Sequence, residues 1–301
     1  MARILVLGGT GQVATALQAR LPLDGHEVKA VGRADVDISD PAAARAAVLD
    51  YAPDVVVNAA AYTAVDRAEG DEAAARALNA EGPAAAAAAA AGIGAAFIHF
   101  STDYVFDGSK GQPYDETDPP RPLGVYGRTK LDGERAVAAA NPRHIILRTA
   151  WVCSPTGSNF VKTMLRLAGE REFLGVVDDQ HGRPTFARDL ADAVAVIVDR
   201  LPGDATSDGW GVFHAASQGE TTWCGFARAI MDGSRARGGP AAEIRPITTS
   251  EFPTPARRPA DSRLSTERLA SAYGVRLPQW RTSLDVCLDE IYGIPTTGTT
   301  Q

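Results

Sequence analysis

Ile4-Leu5-Val6-Leu7-Gly8-Gly9-Thr10-Gly11-Gln12-Val13-Ala14 is the stretch on which the fold turns. Four apolar residues read as a buried strand, 8–11 as a turn, and 13–21 as a helix. Glycines let the backbone turn sharply and come close to a ligand. The helix N-terminus that follows offers free N–H groups at the positive end of its dipole. A G-x-x-G-x-x-A spacing straight after a strand therefore predicts a pyrophosphate-binding turn in a βαβ unit. Gly8, Thr10, Gly11, Gln12 and Val13 are its candidate cofactor contacts.

Outward from this turn, apolar runs at 27–31, 54–58, 96–101 and 144–149 read as strands. They alternate with helical patterns at 41–50, 71–78, 83–91 and 126–140, and 108–123 is a Gly- and Pro-rich loop. That alternation predicts an α/β fold, a Rossmann-type doubly wound parallel sheet. After Trp151 the pattern loosens. Helices are expected at 159–170, 187–199, 222–232 and 265–273, a strand at 175–177, and one more strand of the main sheet at 212–215. The expected division is an NAD(P)-binding part, 1–150 plus about 185–217, and a smaller substrate-binding region, 151–184 plus 218–291. The polar end, 292–301, reads as a flexible tail.

Composition narrows the function. Of the 301 residues, 45% are hydrophobic and 22% charged, enough apolar material for a sizeable core. The net charge of −7 argues against nucleic acid as a partner. No run of about 18 apolar residues exists, so no membrane span is expected. Cys153, Cys224 and Cys287 lie far apart and form no C-x-x-C, which supports neither a disulfide framework nor a zinc site. The expected compartment is reducing, the cytoplasm, and no metal is expected.

The second strand ends Val31-Gly32-Arg33, with no acid where one would bind the ribose hydroxyls of NAD. Arg33 can instead face a 2′-phosphate, which favours NADPH, with NADH still possible. Asp37 and Ile38 follow where they can border the adenine.

Tyr126-Gly127-Arg128-Thr129-Lys130 is Y-x-x-x-K on a helix. Residues four apart share a face, so phenol and ammonium can act together. A nearby cation is expected to lower the phenol's pKa and fit it for proton exchange with a carbinol or carbonyl oxygen. Thr102 lies 24 positions upstream at the end of a strand, where ligands sit in open α/β sheets. Its hydroxyl can hold the same oxygen.

Longer segments carry a family resemblance. They are Val57-Asn58-Ala59-Ala60-Ala61-Tyr62-Thr63-Ala64-Val65-Asp66, Ser101-Thr102-Asp103-Tyr104-Val105-Phe106-Asp107-Gly108, the Tyr126–Lys130 motif with Gly133-Glu134, Arg148-Thr149-Ala150-Trp151-Val152, and Arg258-Pro259 with Ser262 and Leu264. Over about residues 3–291 the chain resembles the dTDP-4-dehydrorhamnose reductase family of extended short-chain dehydrogenases/reductases. The resemblance implies reduction by NADPH of the C4 ketone of a dTDP-4-keto-6-deoxyhexose, giving dTDP-L-rhamnose. It implies Thr102, Tyr126 and Lys130 as catalytic residues. It adds Ala60, Ala61, Tyr62 and Thr63 to the cofactor site, with Tyr126 and Lys130. Asp103 and Trp151 match positions that face the sugar, and Asn159, Arg258 and Arg263 are candidates for its diphosphate. Asp66 and Glu69 are expected to hold the loop, and His99 and His181 to be structural.

The chain departs from the family in places. Some members pair through a metal bridged by acidic residues, and the matching places here hold Ala16, Arg188 and Glu290. Metal-dependent pairing is therefore not expected, and the chain is read as a monomer or weak homodimer. Cys153 stands where a tyrosine is common, which leaves the product's stereochemistry open. Another dTDP-4-keto-6-deoxysugar reductase, of the talose, streptose or antibiotic-sugar type, stays an alternative. So does a non-catalytic NADP-binding regulatory subunit, like that of methionine adenosyltransferase.

Overall fold

The computed structural model describes residues 1–295. Its centre is a sheet of six parallel strands: β1 (Arg3–Leu7), β2 (Glu27–Val31), β3 (Val55–Asn58), β4 (Ala96–Thr102), β5 (His144–Thr149) and Gly211–His214. Across the sheet they run β2, β1, β3, β4, β5, Gly211–His214. The order reverses at β1 and β3, so the turn after β1 opens into the crevice where open α/β sheets bind ligands.

Alternation along β1 shows why both faces are covered. Ile4 and Val6 point to one face and meet Leu17, Leu190 and Val194 from helices Gln12–Arg20 and Ala187–Asp199. Leu5 and Leu7 point to the other and meet Val48, Ala86, Ala90 and Val137 from helices Pro41–Tyr51, Gly82–Gly92 and Val125–Ala140. A strand buried on both faces reads as a continuous apolar run, which is what 4–7 shows. Alanines fill Gly82–Gly92 because this helix sits close to its neighbours: a Cβ on Gly82 would overlap the Ile38 carbonyl.

A second hydrophobic cluster joins Val161, Met164, Leu174, Val176 and Phe186 to Phe226, Ile230, Trp280, Leu284 and Leu288. Two of its longer elements are absent from the expected set. Strand Glu243–Ile247 pairs in parallel with Phe173–Val177, and Pro246 within it masks its strand character. Helix Trp280–Tyr292 closes the cluster. Tyr292, expected in the tail, instead ends that helix, and its hydroxyl bonds Ser234 Oγ at 2.7 Å. Residues 296–301 of that expectation lie outside the described residues. Among the described residues, no helix is long and apolar enough to cross a membrane.

Candidate active site

The glycine turn is shaped for close approach. Gly8 has φ 123°, a region open to glycine, and its N–H is donated to the Val31 carbonyl at 2.9 Å. A Cβ on Gly9 would stand 2.8 Å from the Cα of Gly32, whereas around Gly11 it would meet nothing. Helix Gln12–Arg20 starts at Gly11 with no side-chain cap. Its first N–H groups thus face an exposed, glycine-walled turn that suits a pyrophosphate. The loop after β3 crosses the turn, with Ala60 N 3.2 Å from where a Gly8 Cβ would be. Asn79 holds that loop: its Oδ1 accepts the Tyr62 N–H at 2.8 Å, and its amide donates to Thr129 Oγ1 at 3.0 Å. Asn79 sits in a π-helical stretch, Ala77–Glu81. Such widened turns recur at functional sites, and this one was not foreseen. Thr63 is exposed, Ala61 half-buried.

Arg33 is exposed past the end of β2, and Asp35 Oδ2 accepts the Gly32 N–H at 3.0 Å. Asp37 accepts from both the N–H and hydroxyl of Ser39, which holds its carboxyl below the usual range. Ile38 is buried against Gly82.

Thr102 ends β4, and Tyr126 and Lys130 lie on helix Val125–Ala140. Glu69 Oε1 accepts the Val125 N–H at 2.8 Å and fixes the start of that helix. Gly127 brings it against the Tyr104 carbonyl and Pro122. The rings of Tyr104 and Tyr126 meet edge to face at 5.8 Å. Beside them a crevice is lined by Val65, Tyr104, Leu123, Tyr126, Ala256 and Pro259. Burial pushes the Tyr126 phenol up to about 12, against a smaller opposing effect of the Thr102 hydroxyl. This reverses the expected lowering by Lys130. The physical reason is burial, which disfavours the phenolate, with Asp103 adding to it; Lys130 Nζ donates to the Phe100 carbonyl at 2.6 Å. Burial also brings Lys130 down to about 8, with Glu134, one turn on, opposing.

Glu134 anchors a buried network. It accepts from Arg148 Nε at 2.9 Å, from Arg148 Nη2 at 2.7 Å and from Ser101 Oγ at 2.5 Å. His99 is fully buried, bonds the Asn58 amide at 2.9 Å, and is held neutral by burial. It has the structural role expected of it.

Asp103 is buried beside Thr102, whose Oγ1 donates to its Oδ1 at 3.0 Å. Trp151 stands at φ 49°, a conformation bulky side chains rarely adopt. Its indole stacks on Trp223 with centroids 3.6 Å apart. A Cβ on Gly182 would stand 2.5 Å from that ring. The Trp223 contact joins residues 72 apart in sequence and had no local signal.

The three groups expected at a diphosphate have partners within the chain. Asn159 Nδ2 donates to Gln12 Oε1 at 2.8 Å and to the Ser154 carbonyl at 2.7 Å, while its Oδ1 caps the next helix at Lys162 N. It thereby ties the glycine turn to the 152–159 segment. Arg258 forms a two-pronged pair with Asp66, both bonds 2.8 Å, and Arg263 pairs with Asp261 and Glu220. The structure thus gives both guanidinium groups carboxylate partners. Asp66 and Glu69 hold their loop, as expected.

The sequence matches the family described as "RmlD substrate binding domain" over residues 2–292. It is 47% identical over 281 residues to a dTDP-4-dehydrorhamnose reductase of Sinorhizobium fredii, covering 93% of this chain and 95% of that protein. It is 47% identical over 298 residues to one of Burkholderia thailandensis, covering 96% and 99%. Among solved structures, a dTDP-4-dehydrorhamnose reductase of Clostridium acetobutylicum superposes with a TM-score of 0.89 at 38% identity, covering 96% of this chain and 99% of that one. One of Bacillus anthracis, in complex with NADP, gives 0.87 at 32% identity with the same coverage.

Proposed function

The chain belongs to the family of the RmlD substrate binding domain, that of the dTDP-4-dehydrorhamnose reductases, and from that premise we propose how its residues carry out the reaction. It is an NADPH-dependent oxidoreductase that takes the C4 ketone of dTDP-4-dehydro-L-rhamnose to the alcohol of dTDP-L-rhamnose. The observation that carries the residue roles is that helix Val125–Ala140 lies against the end of β4, with the Thr102 hydroxyl facing the Tyr126 phenol and Lys130 Nζ on the Phe100 carbonyl at 2.6 Å.

NADPH, when bound, supplies the hydride that goes to C4. Gly8, Thr10, Gly11, Gln12 and Val13 hold its pyrophosphate, Arg33 its 2′-phosphate, Asp37 and Ile38 its adenine, and Ala60, Ala61, Tyr62 and Thr63 its inner half. Tyr126 keeps its proton at neutral pH because burial raises the phenol, and its Oη gives that proton to the C4 oxygen. Thr102 Oγ1 steadies the same oxygen. Lys130, fixed on the Phe100 carbonyl, orients the ribose side of the site. Trp151, braced by Trp223, forms an apolar wall for the sugar, and Asp103 faces its hydroxyls.

The division into 1–150 plus 185–217 and 151–184 plus 218–291 belongs to this reading, and the separate second hydrophobic cluster supports it. So do a cytoplasmic setting, supported by three free buried thiols, and a monomeric or weakly dimeric state. Arg188 and Glu290, which stand at two of the family's metal-bridging positions, pair with each other at 3.1 Å.

The test is NADPH oxidation with dTDP-4-keto-L-rhamnose, the product identified by NMR. Turnover to dTDP-L-rhamnose is expected. Turnover to the C4 epimer would move the chain to another deoxysugar. NADPH binding without turnover of any dTDP-4-ketosugar would overturn the catalytic reading.

A further inference from the structure

The Thr102 hydroxyl has one proton, and its direction is set. Oγ1 donates to Asp103 Oδ1 at 3.0 Å and accepts the Tyr104 N–H at 3.2 Å. Toward Tyr126 only a lone pair remains. In that state Thr102 can accept from the phenol but has nothing to donate to a ketone oxygen. Steadying an oxygen on which charge develops takes a donor.

Asp103 controls this choice. Its residue is 2% exposed, and among the described residues its Oδ2 is buried with no hydrogen bond of ordinary length, the Ser262 hydroxyl lying nearby. A buried carboxylate with an orphan oxygen is costly to ionise. Burial accordingly lifts Asp103 to about 6, although the hydroxyls of Ser262 and Thr102 and the Tyr104 N–H favour the charged form. The titratable groups that face it are the phenols of Tyr104, next along the chain, and Tyr126, from helix Val125–Ala140. The charges of Arg258 and Asp66 act on Tyr104.

We propose that Asp103 is a positioning residue that sets the polarity of Thr102: neutral, it frees the Thr102 proton to point at the C4 oxygen, and ionised, it claims that proton as an acceptor. No bond to carbon is made or broken in this step. The neutral carboxyl turns its own O–H away from, or onto, Thr102 Oγ1, and the threonine hydroxyl rotates. The proposal rests on the ketone-reducing reading of the site. It makes Asp103 a control on the reaction in addition to a surface for the sugar.

Single-turnover rates of the full chain with NADPH and dTDP-4-keto-L-rhamnose, measured from about pH 5 to about pH 8, test it. The wild-type rate is expected to fall toward tenfold per pH unit once Asp103 ionises. Asp103→Asn has no proton to lose and is expected to lack that limb. Thr102→Val is expected to be slower and to lack it too, because Asp103 acts only through Thr102. NADPH binding reports that each variant is folded. A limb that persists in either variant overturns the proposal, as does a wild-type rate that is flat across the range. A merely structural Asp103 would lower the rate and leave the profile in place. Should Asp103→Asn fail to fold or turn over, Thr102→Val decides alone. A wild-type protein that binds NADPH and reduces no dTDP-4-ketosugar overturns the catalytic reading, and this proposal with it.

Discussion

Gly127 lies between Tyr126 and Lys130 on the face of the helix that touches the 103–105 turn. A Cβ there would overlap the Tyr104 carbonyl oxygen and stand 2.9 Å from Pro122 Cβ. Carbon–carbon contacts settle at about 3.5–4.0 Å, so Gly127→Ala forces a shift of roughly 0.6–1.1 Å. Two of the colliding groups bracket the site, one next to Asp103 and one in the loop leading into the helix. The shift is therefore transmitted to Tyr126 relative to Thr102. A misplacement of about 1 Å costs on the order of 100-fold in rate, while the overpacking itself costs about 1–3 kcal/mol of stability. The glycine turn belongs to other elements, so NADPH affinity is expected to fall far less than the rate, by no more than Tyr126 and Lys130 contribute to the cofactor site. The assay pairs single-turnover reduction of dTDP-4-keto-L-rhamnose with NADPH titration and a urea melt. A folded Gly127→Ala protein with a rate within about twofold of wild type would refute the claim that this contact sets the position of the phenol.

Tyr126→Phe is expected to fold, bind NADPH and lose roughly 10²–10⁴-fold in rate; near-wild-type turnover would remove Tyr126 as the proton donor. Arg33→Ala is expected to weaken NADPH more than NADH, and equal losses in parallel titrations would show that Arg33 does not read the 2′-phosphate. Asp103 also has a stability signature. Its folded value, about 6, lies above the ordinary 3.8, so its contribution is full below about pH 4 and lost as pH rises through about 6. Urea melts of Asp103→Asn against wild type should shift by on the order of 3 kcal/mol in the variant's favour between about pH 4 and about pH 8. An unchanged difference would show that the buried carboxyl carries no such burden.

What could be read in advance was local. The 4–14 stretch holds strand, turn and helix within reach of one another, so its pattern and its chemistry coincide. Tyr126 and Lys130 are one helical turn apart, which places them on one face without knowledge of the rest. All six strands of the main sheet carried β-branched or apolar runs long enough to see, the last at 212–215. The two-residue strands Val152–Cys153 and Thr185–Phe186 carry no period, and Pro246 hides the strand around it. Arg258 shows the other limit. A half-buried guanidinium fork suits a diphosphate and a carboxylate equally, and its partner Asp66 lies 192 residues away. The direction of the Tyr126 shift was hidden in a like way: adjacency to Lys130 is written in the spacing, but the burial that raises the phenol depends on the packed structure around it.

The last strand of the sheet has a consequence for how the chain is made. β5 ends at Thr149, and its outer neighbour ends at His214. Between them the chain leaves to build Phe160–Ala168, Phe173–Val177 and Ala187–Asp199. At about 5–20 residues per second, a ribosome needs roughly 3–13 s to deliver those 65 residues. For that interval Ile145, Ile146 and Leu147 form an open parallel edge with its N–H and C=O groups unpaired, the kind of surface that captures other chains. Slow translation through 150–210 would lengthen the exposure, and a chain cut after 150 would keep it permanently.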